Sequence, residues 1–315
     1  MKCERLLDLF EEGRKRYHIV GDDVAGVVAG LDLEGRLYAV LDRQVLNRVN
    51  PDALLGTSTR DAYLNPGGDG LWPAPEGSCL GYEYATGSWR VPPGLSGARY
   101  WLREAGPGAA SIRAEVDLIN SRGLGVPVAF ERQIRVRHAD EALRVSVTEC
   151  IEYLGARPLA RAECLLAPWS LAQFDSGPGC EVVFPAVPAA EVWDLYEPSD
   201  AQRGIAGELW RTRTDASQRY QIGLSPQVPW LEYRAPDRSL RVRRTADALP
   251  EGLTYIDITD RAPAAAPADR GIRFSVYSDT TGFMEIEAAG GCPAEIRPGQ
   301  VLAVTIHTTY GWDRR

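Results

Sequence analysis

The stretch Phe130-Glu131-Arg132-Gln133-Ile134-Arg135-Val136 shows most clearly how this chain folds. Successive side chains of a β-strand point to opposite faces, so residues two apart share a face. The even positions, three of which are apolar, would therefore share one face, and the polar odd positions would share the other. The run from Leu143 to Cys150 repeats this alternation, and the two stretches predict two antiparallel strands.

Short runs of the same kind recur through almost the whole chain. They are rich in Val, Ile, Leu, Tyr and Trp and are bounded by Gly, Pro, Asp or Asn, which is typical of strands separated by turns. The predicted strands are residues 24–31, 37–41, 111–119, 130–137, 142–153, 160–166, 220–222, 230–234, 240–244, 253–258, 272–277, 282–288 and 301–309. So many strands with almost no helix indicate an all-β fold, a large antiparallel β-sandwich.

Only the N-terminal segment has a helical pattern. Leu6, Leu9 and Phe10 fall on helical spacing and Gly21 follows as a stop signal, so we predict a helix over residues 3–17. We expect residues 1–20 to form this helical segment and residues 21–315 to form a single β-sandwich domain. The Ala/Pro-rich residues 262–268 are interpreted as an exposed loop within that domain.

The composition argues against several classes of function. The chain of 315 residues has a formal net charge of −8, whereas nucleic-acid binding needs a concentrated basic surface. No stretch is long and apolar enough to span a bilayer, and the charge gives no reason to expect binding to an anionic membrane. The six cysteines include no Cys-x-x-Cys pair, so we expect reduced thiols in a cytoplasmic protein. We expect no cofactor and no bound metal, and either a monomer or a homodimer.

The run Asn-Pro-Gly-Gly-Asp-Gly-Leu-Trp-Pro-Ala-Pro-Glu-Gly, residues 65–77, has a composition typical of a binding loop. Its prolines block helix and limit strand pairing, so we interpret it as a rigid loop or a sheet edge outside the core. It presents Trp72 beside Glu76 and Asp69, and an aromatic face beside carboxylates is a common way to hold a sugar. The alternative is a Pro/Gly turn with a half-buried tryptophan.

Carboxylates are the main candidates for chemistry. The sequence has no G-x-S-x-G elbow, no G-x-G-x-x-G fingerprint and no Walker motif, and its three histidines form no metal-binding pattern. In Phe283-Met284-Glu285-Ile286-Glu287, a strand would put both glutamates on one face with Phe283. Two such carboxylates repel, and one of them would acquire a raised pKa suited to proton transfer. The alternative is a solvated strand face.

Four sequence elements, taken in order, resemble a bacterial branch of the galactose mutarotase-like superfamily, which includes the aldose 1-epimerases. They are Gly-Gly-Asp-Gly-Leu-Trp-Pro-Ala-Pro-Glu (67–76), Pro-Trp-Ser-Leu-Ala-Gln (168–173), Phe-Met-Glu-Ile-Glu (283–287) and Arg-Pro-Gly-Gln-Val (297–301). The resemblance covers most of residues 20–312. It implies a β-supersandwich of two large twisted antiparallel sheets, with a carbohydrate groove on a concave face.

The resemblance also implies a mechanism. In aldose epimerases a late glutamate takes the proton from the anomeric hydroxyl, and a mid-chain histidine protonates the ring oxygen. Glu285 and Glu287 lie where that glutamate is expected. The sequence departs from the family after Glu149, where no histidine follows, so only His307 or His138 could take that part.

We therefore expect an isomerase that acts on a sugar or sugar-like ring, with a small carbohydrate as its ligand. A lyase or hydrolase in the same groove, a non-catalytic carbohydrate-binding or sensing protein, and a scaffold without a ligand are the alternatives. The candidate catalytic residues are Glu285, Glu287 and His307. The candidate substrate-binding residues are Asp69, Trp72, Glu76, Trp89, Arg90, Arg60 and Trp169.

Overall fold

The computed structural model describes residues 1–59, 62–76, 82–83, 88–89, 91–120, 123–258 and 270–313, with only the backbone at 82–83, 88–89 and 93. Its helices are α1 (Cys3–Glu12), α2 (Pro51–Leu55) and α3 (Pro93–Ser96). All other long elements are antiparallel strands, which confirms the predicted all-β fold.

The strands are numbered in chain order. The first half of the chain contains β1 (Tyr17–Gly21), β2 (Ala25–Gly30), β3 (Arg36–Leu41), β4 (Gln44–Val45), β5 (Asp69–Ala74), β6 (Tyr82–Glu83), β7 (Ser88–Trp89), β8 (Trp101–Gly106), β9 (Ala109–Ile119), β10 (Gly125–Ala139), β11 (Ala142–Tyr153) and β12 (Leu159–Ala160). The second half contains β13 (Ala167–Asp175), β14 (Glu181–Pro185), β15 (Val192–Asp194), β16 (Arg203–Ala206), β17 (Leu209–Arg213), β18 (Tyr220–Leu224), β19 (Trp230–Ala235), β20 (Leu240–Ala246), β21 (Leu253–Tyr255), β22 (Phe274–Asp279), β23 (Phe283–Ala289), β24 (Gly291–Pro293), β25 (Glu295–Ile296) and β26 (Val301–Trp312).

Two large sheets form the sandwich. The first sheet has the order β1-β2-β3-β5-β13-β23-β22-β18-β15, with β4 beside β3. The second sheet has the order β16-β17-β14-β19-β20-β26-β11-β10-β9-β8. Residues 130–136 lie in β10, which pairs with β11 from Val128↔Tyr153 to Ala139↔Ala142, so the predicted pair of antiparallel strands is confirmed.

The core lies between the two sheets. We call the face of the first sheet that packs against the second sheet its inner face, and the opposite face its outer face. Phe174 and Met284 of the first sheet belong to one buried cluster with Phe130, Ile151 and Val242 of the second. At one end of the first sheet, α1 covers part of the outer face and buries Leu6 and Phe10 in a second cluster.

The N-terminal helix is shorter than predicted. It ends at Glu12, where Gly13 donates to the carbonyl oxygen of Leu9, and Arg14 then turns the chain with a positive φ of 53°. Residues Tyr17–Gly21 form β1, which pairs with β2 throughout its length. The predicted strand at 160–166 is also wrong in its bounds, because β12 ends at Ala160 and β13 begins at Ala167.

The prediction of a loop or edge at residues 65–77 is wrong. Residues Asp69–Ala74 form β5, an interior strand whose six residues are all buried and pair with β13. Proline fits here because β3 pairs with β5 only at Leu37↔Asp69, so beyond that point one side of β5 has no ladder partner among the described residues. Trp72 is only 7% exposed.

Candidate functional site

Strand β23 carries the pair of glutamates that we call the carboxyl pair, Glu285 and Glu287. Their spacing of two residues puts both on the outer face, while Met284 and Ile286 point into the core. Strand register places Gln173 of β13 and Tyr277 of β22 beside Glu285. The carboxyl pair is deeply buried, since Glu285 is 8% exposed and Glu287 is 1% exposed. Two buried acids this close must be compensated by hydrogen bonds or protons.

Each carboxyl group has its own amide or indole donor. Nε2 of Gln173 donates to Oε1 of Glu285 at 2.6 Å. Nε1 of Trp169 donates to Oε2 of Glu287 at 3.1 Å, and Nε2 of Gln221 lies 3.0 Å from both oxygens of that carboxyl group. The two carboxyl groups also lie close enough to shift each other's pKa. Two buried carboxylates this close repel each other, which favours a state in which one member of the carboxyl pair is protonated.

The surroundings decide which glutamate holds that proton. Burial, followed by the charge of Glu285, raises the pKa of Glu287 well above its usual value of 4.5. Burial also raises the pKa of Glu285, but its hydrogen bond with Glu287 and the positive charge of Arg36 oppose that rise. Glu285 therefore ionises first and Glu287 keeps the proton. Two carboxyl groups with separated pKa values form an acid and a base side by side.

Arg36 reaches toward the carboxyl pair across β5. Its Nε and Nη2 donate to Oε2 of Glu34 at 3.3 and 3.0 Å, and Nη2 also contacts the Tyr63 hydroxyl at 3.0 Å. The guanidinium lies over Gly70, where an added Cβ would be 2.6 Å from Nη1. The glycine is thus required for Arg36 to cross the strand. Burial of an arginine is tolerated here because Glu34 neutralises it.

Aromatic side chains flank the carboxyl pair on the outer face. The rings of Trp72 and Trp169 meet edge to face, with centroids 6.3 Å apart and an interplanar angle of 84°. Tyr63 packs on the other side of Trp72 with a centroid distance of 6.3 Å, and the Arg36 guanidinium lies 5.7 Å from the Trp72 ring. Trp169 links this aromatic group to the acids through its hydrogen bond with Glu287.

A second polar group lies on the other side of β23. The Tyr277 hydroxyl donates to Oδ2 of Asp279 at 2.6 Å and accepts from Nε of Arg219 at 3.1 Å. The Arg219 guanidinium lies 5.3 Å from the Tyr196 ring. Burial raises the pKa of Tyr196, and the charges of Glu76 and Glu287 raise it further. The Tyr196 hydroxyl therefore lies near Glu76 and Glu287.

This architecture is similar to that of several solved structures. A galactose mutarotase-like protein from Lactobacillus casei ATCC 334 superposes with a TM-score of 0.58 at 8% identity, covering 94% of this chain and 100% of that one. A galactose mutarotase-like protein from Clostridium acetobutylicum gives 0.54 at 8% identity, covering 95% and 98%. A candidate aldose 1-epimerase from Escherichia coli K12 gives 0.59 at 11% identity, covering 95% and 99%.

The chain has the galactose mutarotase-like fold. The β-supersandwich that the sequence motifs implied is therefore confirmed. No protein-family model matches the sequence, and no curated protein is detectably similar to it. At the identities of 8 to 11%, the likeness shows the fold alone, and activity has to be argued from the side chains.

Within this galactose mutarotase-like fold, several predicted site residues come together. Glu285, Glu287, Trp72 and Trp169 share the outer face of neighbouring strands. Glu76 is partly buried and lies near the same site, because its charge acts on Tyr196 together with that of Glu287.

Asp69 does not join them, which corrects its assignment to substrate binding. It pairs with Ala172 of β13 and lies on the inner face, where Oδ1 accepts from Nη2 of Arg132 at 2.9 Å. Its Oδ2 accepts from Nη2 of Arg244 at 2.7 Å. Asp69 is thus part of an ion network between the sheets and does not face the carboxyl pair. The two arginines outweigh the effect of burial and lower the pKa of Asp69.

His307 is also far from the carboxyl pair, which corrects its assignment as the acid. It lies on β26 of the second sheet and points away from the core, with 43% of its side chain exposed. Its Nδ1 lies 2.8 Å from Oγ of Ser146, and its Nε2 lies 3.1 Å from Oδ1 of Asp247. Both sheets stand between His307 and Glu285.

Three other predicted residues cannot be placed. Arg60 and Arg90 lie outside the described residues, and only the backbone of Trp89 is described. Within the described part of the chain, no group of three His, Cys, Asp or Glu side chains could hold a metal ion. None of the described helices is long and apolar enough to cross a membrane.

The sequence alone did not identify three residues that act on the carboxyl pair, namely Arg36, Gln173 and Gln221. A signal existed for Gln173, because it shares strand parity with Trp169 in a motif already singled out. The spaced glycines Gly68 and Gly70 were a weaker signal for Arg36, since glycine within a strand often marks a close approach. No local signal identified Gln221, which reaches Glu287 from β18 across β22.

Proposed function

We propose that the protein is an isomerase of the aldose-epimerase type, which interconverts the anomers of a small carbohydrate. The observation that carries this proposal is the carboxyl pair, two buried glutamates side by side on the outer face of the first sheet, each with a pKa raised by burial. General acid/base catalysis needs one group that accepts a proton and another that donates one at the same pH. Burial and the charge of Glu285 raise the pKa of Glu287, while Arg36 opposes the rise in the pKa of Glu285, so Glu287 suits the acid and Glu285 suits the base.

In the proposed reaction Glu285 is the base and Glu287 is the acid. The Glu285 carboxylate accepts the proton of the anomeric hydroxyl, and Glu287 donates its proton to the ring oxygen as the bond to the anomeric carbon breaks. The open-chain aldehyde rotates about its C1–C2 bond. In ring closure Glu285 returns its proton to the carbonyl oxygen, and Glu287 takes the proton of the attacking hydroxyl. No net proton is gained or lost.

The neighbouring groups support these roles. Arg36 favours the ionised form of Glu285, which suits a base. The donors Trp169 and Gln221 hold Glu287 in one orientation. The edge-to-face pair Trp72 and Trp169 places two aromatic rings beside the acids, and aromatic rings suit the C–H face of a sugar ring.

A non-catalytic carbohydrate-binding protein is the second candidate. The observation that favours it is the placement of the three histidines of the chain. His138 on β10 and His307 on β26 belong to the second sheet, and His18 lies on β1 of the first. None of the three lies on β5, β13 or β23. The mid-chain acid of the aldose epimerases is thus missing, and Glu287 would have to replace it for catalysis.

Proton NMR of anomer exchange tests the proposal directly. We would measure exchange for a panel of free aldoses and uronic acids, with and without the protein. We expect acceleration for at least one sugar, and we expect Glu285→Gln and Glu287→Gln to lower kcat/KM by about 10²- to 10⁴-fold. Glu115→Gln, an exposed glutamate of β9, is the control. Line broadening without faster exchange would favour the binding protein, and full activity in both variants of the carboxyl pair would refute the mechanism.

We further propose that the protein works in a reducing compartment such as the cytoplasm. Among the described residues, Cys3, Cys150 and Cys180 are buried and form no disulfide bond. Burial raises the pKa of the Cys150 thiol to about 12 and that of Cys3 to about 11, which keeps both unreactive.

A further inference from the structure

Two buried polar atoms near the carboxyl pair have no hydrogen-bond partner in the part of the chain that the structure describes. They are Nη1 of Arg36 and Oε1 of Gln173. The two residues are 1% and 2% exposed, so water does not satisfy these atoms freely. An unpaired buried donor or acceptor costs about 1–3 kcal/mol, so two of them beside the carboxyl pair require an explanation.

The two side chains belong to β3 and β13, the strands on either side of β5, and only bare backbone of β5 lies between them. The backbone N–H of Gln173 donates to the carbonyl oxygen of Gly68 at 2.9 Å. The Arg36 side chain runs over β5, where an added Cβ on Gly68 would be 3.3 Å from Cβ of Arg36, and one on Gly70 would be 2.6 Å from Nη1. No side chain of β5 separates the guanidinium from Gln173.

The other side-chain nitrogens of Arg36 and Gln173 already donate hydrogen bonds. These bonds fix the directions in which Nη1 of Arg36 and Oε1 of Gln173 point. Nε and Nη2 of Arg36 engage Glu34 side-on, so Nη1 points away from Glu34. Nε2 of Gln173 is held by Glu285, and a flipped amide would set two acceptors against each other. The unpaired donor and the unpaired acceptor are therefore fixed features of this face.

We propose that Arg36 and Gln173 form a subsite that recognises one hydroxyl group of the sugar, the C2 hydroxyl. This inference rests on the proposed function, because it takes Glu285 as the base at the anomeric hydroxyl. A hydroxyl accepts from Nη1 and donates to Oε1 at once. A carboxylate has no proton to donate to Gln173, and an ammonium has no lone pair to accept from Arg36.

The position on the ring follows from the link between Gln173 and Glu285. The amide nitrogen of Gln173 is 2.6 Å from the Glu285 carboxylate, so the amide oxygen lies one amide width beyond it. Vicinal hydroxyl oxygens of a sugar are about one hydrogen-bond length apart. A ring whose anomeric hydroxyl meets Glu285 thus presents its C2 hydroxyl to the subsite.

Deoxy sugars test this inference on the wild-type protein. We would compare D-glucose, D-galactose and D-ribose with their 2-deoxy analogues, with 6-deoxy-D-galactose as the matched control. A site built to hydrogen-bond a hydroxyl strongly rejects the analogue that lacks it, so we expect kcat/KM to fall about 100-fold or more for the 2-deoxy sugars. The control should lose less than about 10-fold, since the same principle applies only at the recognised position. Equal turnover of parent and 2-deoxy sugars would overturn the subsite.

A pair of variants separates recognition from catalysis. Gln173→Met removes the acceptor and should abolish the preference for the parent sugar over its 2-deoxy analogue. Gln221→Met removes an amide on the other carboxyl group and should keep the preference even if the rate falls. Circular dichroism would establish that both variants fold.

Binding distinguishes failure of the subsite from failure of the proposed function. We would measure saturation-transfer NMR for the same sugars. Binding of a parent sugar but not of its 2-deoxy analogue, without any turnover, would keep the subsite and refute catalysis. Turnover without discrimination would keep catalysis and refute the subsite. Absence of binding by every sugar would refute the subsite.

Discussion

Arg244 and Ile286 are joined across the interior, where Nη1 of Arg244 donates to the carbonyl oxygen of Ile286 at 2.6 Å. Ile286 stands between Glu285 and Glu287, so this bond holds the strand of the carboxyl pair from its inner face. Nη2 of Arg244 donates to Oδ2 of Asp69 at 2.7 Å and to Oγ of Ser170 at 2.6 Å. One buried guanidinium from the second sheet thus contacts three neighbouring strands of the first.

Arg132, a second buried arginine of the second sheet, also donates to the backbone of the first sheet. Its Nη1 donates to the carbonyl oxygens of Gly35 and Asp69 at 2.8 and 2.5 Å, and its Nε donates to Glu149 at 2.9 Å. Gly35 precedes Arg36 in the chain, and Asp69 precedes Gly70. The ion network on the inner face therefore braces the backbone at the positions that carry the outer-face site.

Arg244→Met should strongly destabilise the protein. The change leaves the carboxylate of Asp69 with one arginine instead of two, and breaking a buried ion pair costs about 3–5 kcal/mol. We expect a loss of that size in the free energy of unfolding, measured by urea denaturation at pH 7. Arg243→Met is the matched control, because Arg243 lies next in the chain on the opposite face and its side chain is 47% exposed. The control should lose about 1 kcal/mol or less, and equal losses would contradict the proposed bracing.

Glu287→Gln should change how stability depends on pH. The pKa of Glu287 is raised in the folded protein, so above pH 4.5 the folded state binds more protons than the unfolded chain. The free energy of unfolding therefore falls as pH rises from 4.5 to the folded pKa, by up to about 1.4 kcal/mol per pH unit. Glutamine cannot titrate, so the variant should gain stability relative to wild type as the pH rises from 4.5 toward the folded pKa of Glu287. The lowered pKa of Asp69 acts in both proteins and cancels.

Urea denaturation at several pH values provides this measurement. Glu115→Gln, which changes an exposed glutamate, should follow the wild-type curve. Parallel curves for wild type and Glu287→Gln would mean that Glu287 has no raised pKa.

The sequence was sufficient for what depends on local periodicity. The alternation around Phe130 predicted β10, and the spacing of Glu285 and Glu287 put both on one face, because the strand period is fixed by backbone geometry. The sequence did not show which face of a strand packs against the other sheet. Asp69 and Trp72 were grouped as one binding motif, yet strand register places them on opposite faces of β5.

Contacts between distant segments could not be predicted. Arg36 is 34 positions before Gly70 in the chain, and only the pairing of β3 with β5 brings its guanidinium over that glycine. The prolines of residues 65–77 indicated an unpaired segment, whereas one paired side is enough to make a buried strand. His307 looked like a candidate acid because the sequence does not say which sheet β26 joins.

Gly70→Ala should disrupt the site without disturbing the rest of the fold. The new methyl group would lie 2.6 Å from Nη1 and 2.7 Å from Cζ of Arg36, so the guanidinium must leave its place beside Glu34. We expect weaker sugar binding and loss of the preference for a C2 hydroxyl, measured by saturation-transfer NMR on D-galactose and its 2-deoxy analogue. Gly106→Ala in β8 is the control, since nothing lies within 4 Å of the added Cβ. If Gly70→Ala binds both sugars as the wild-type protein does, Arg36 is not part of the sugar-binding site.

His307→Gln should leave anomer exchange unchanged. Packed sheets lie about 10 Å apart, and His307 faces outward from the second sheet while Glu285 faces outward from the first. A sugar bound at Glu285 is thus beyond the reach of a proton from His307, whose nitrogens already contact Ser146 and Asp247. Stability should change by about 1 kcal/mol or less, since the lost contacts are partly exposed. The measurement is exchange NMR on the most active sugar, and a loss as large as that of Glu285→Gln would restore His307 as the acid and remove Glu287 from that role.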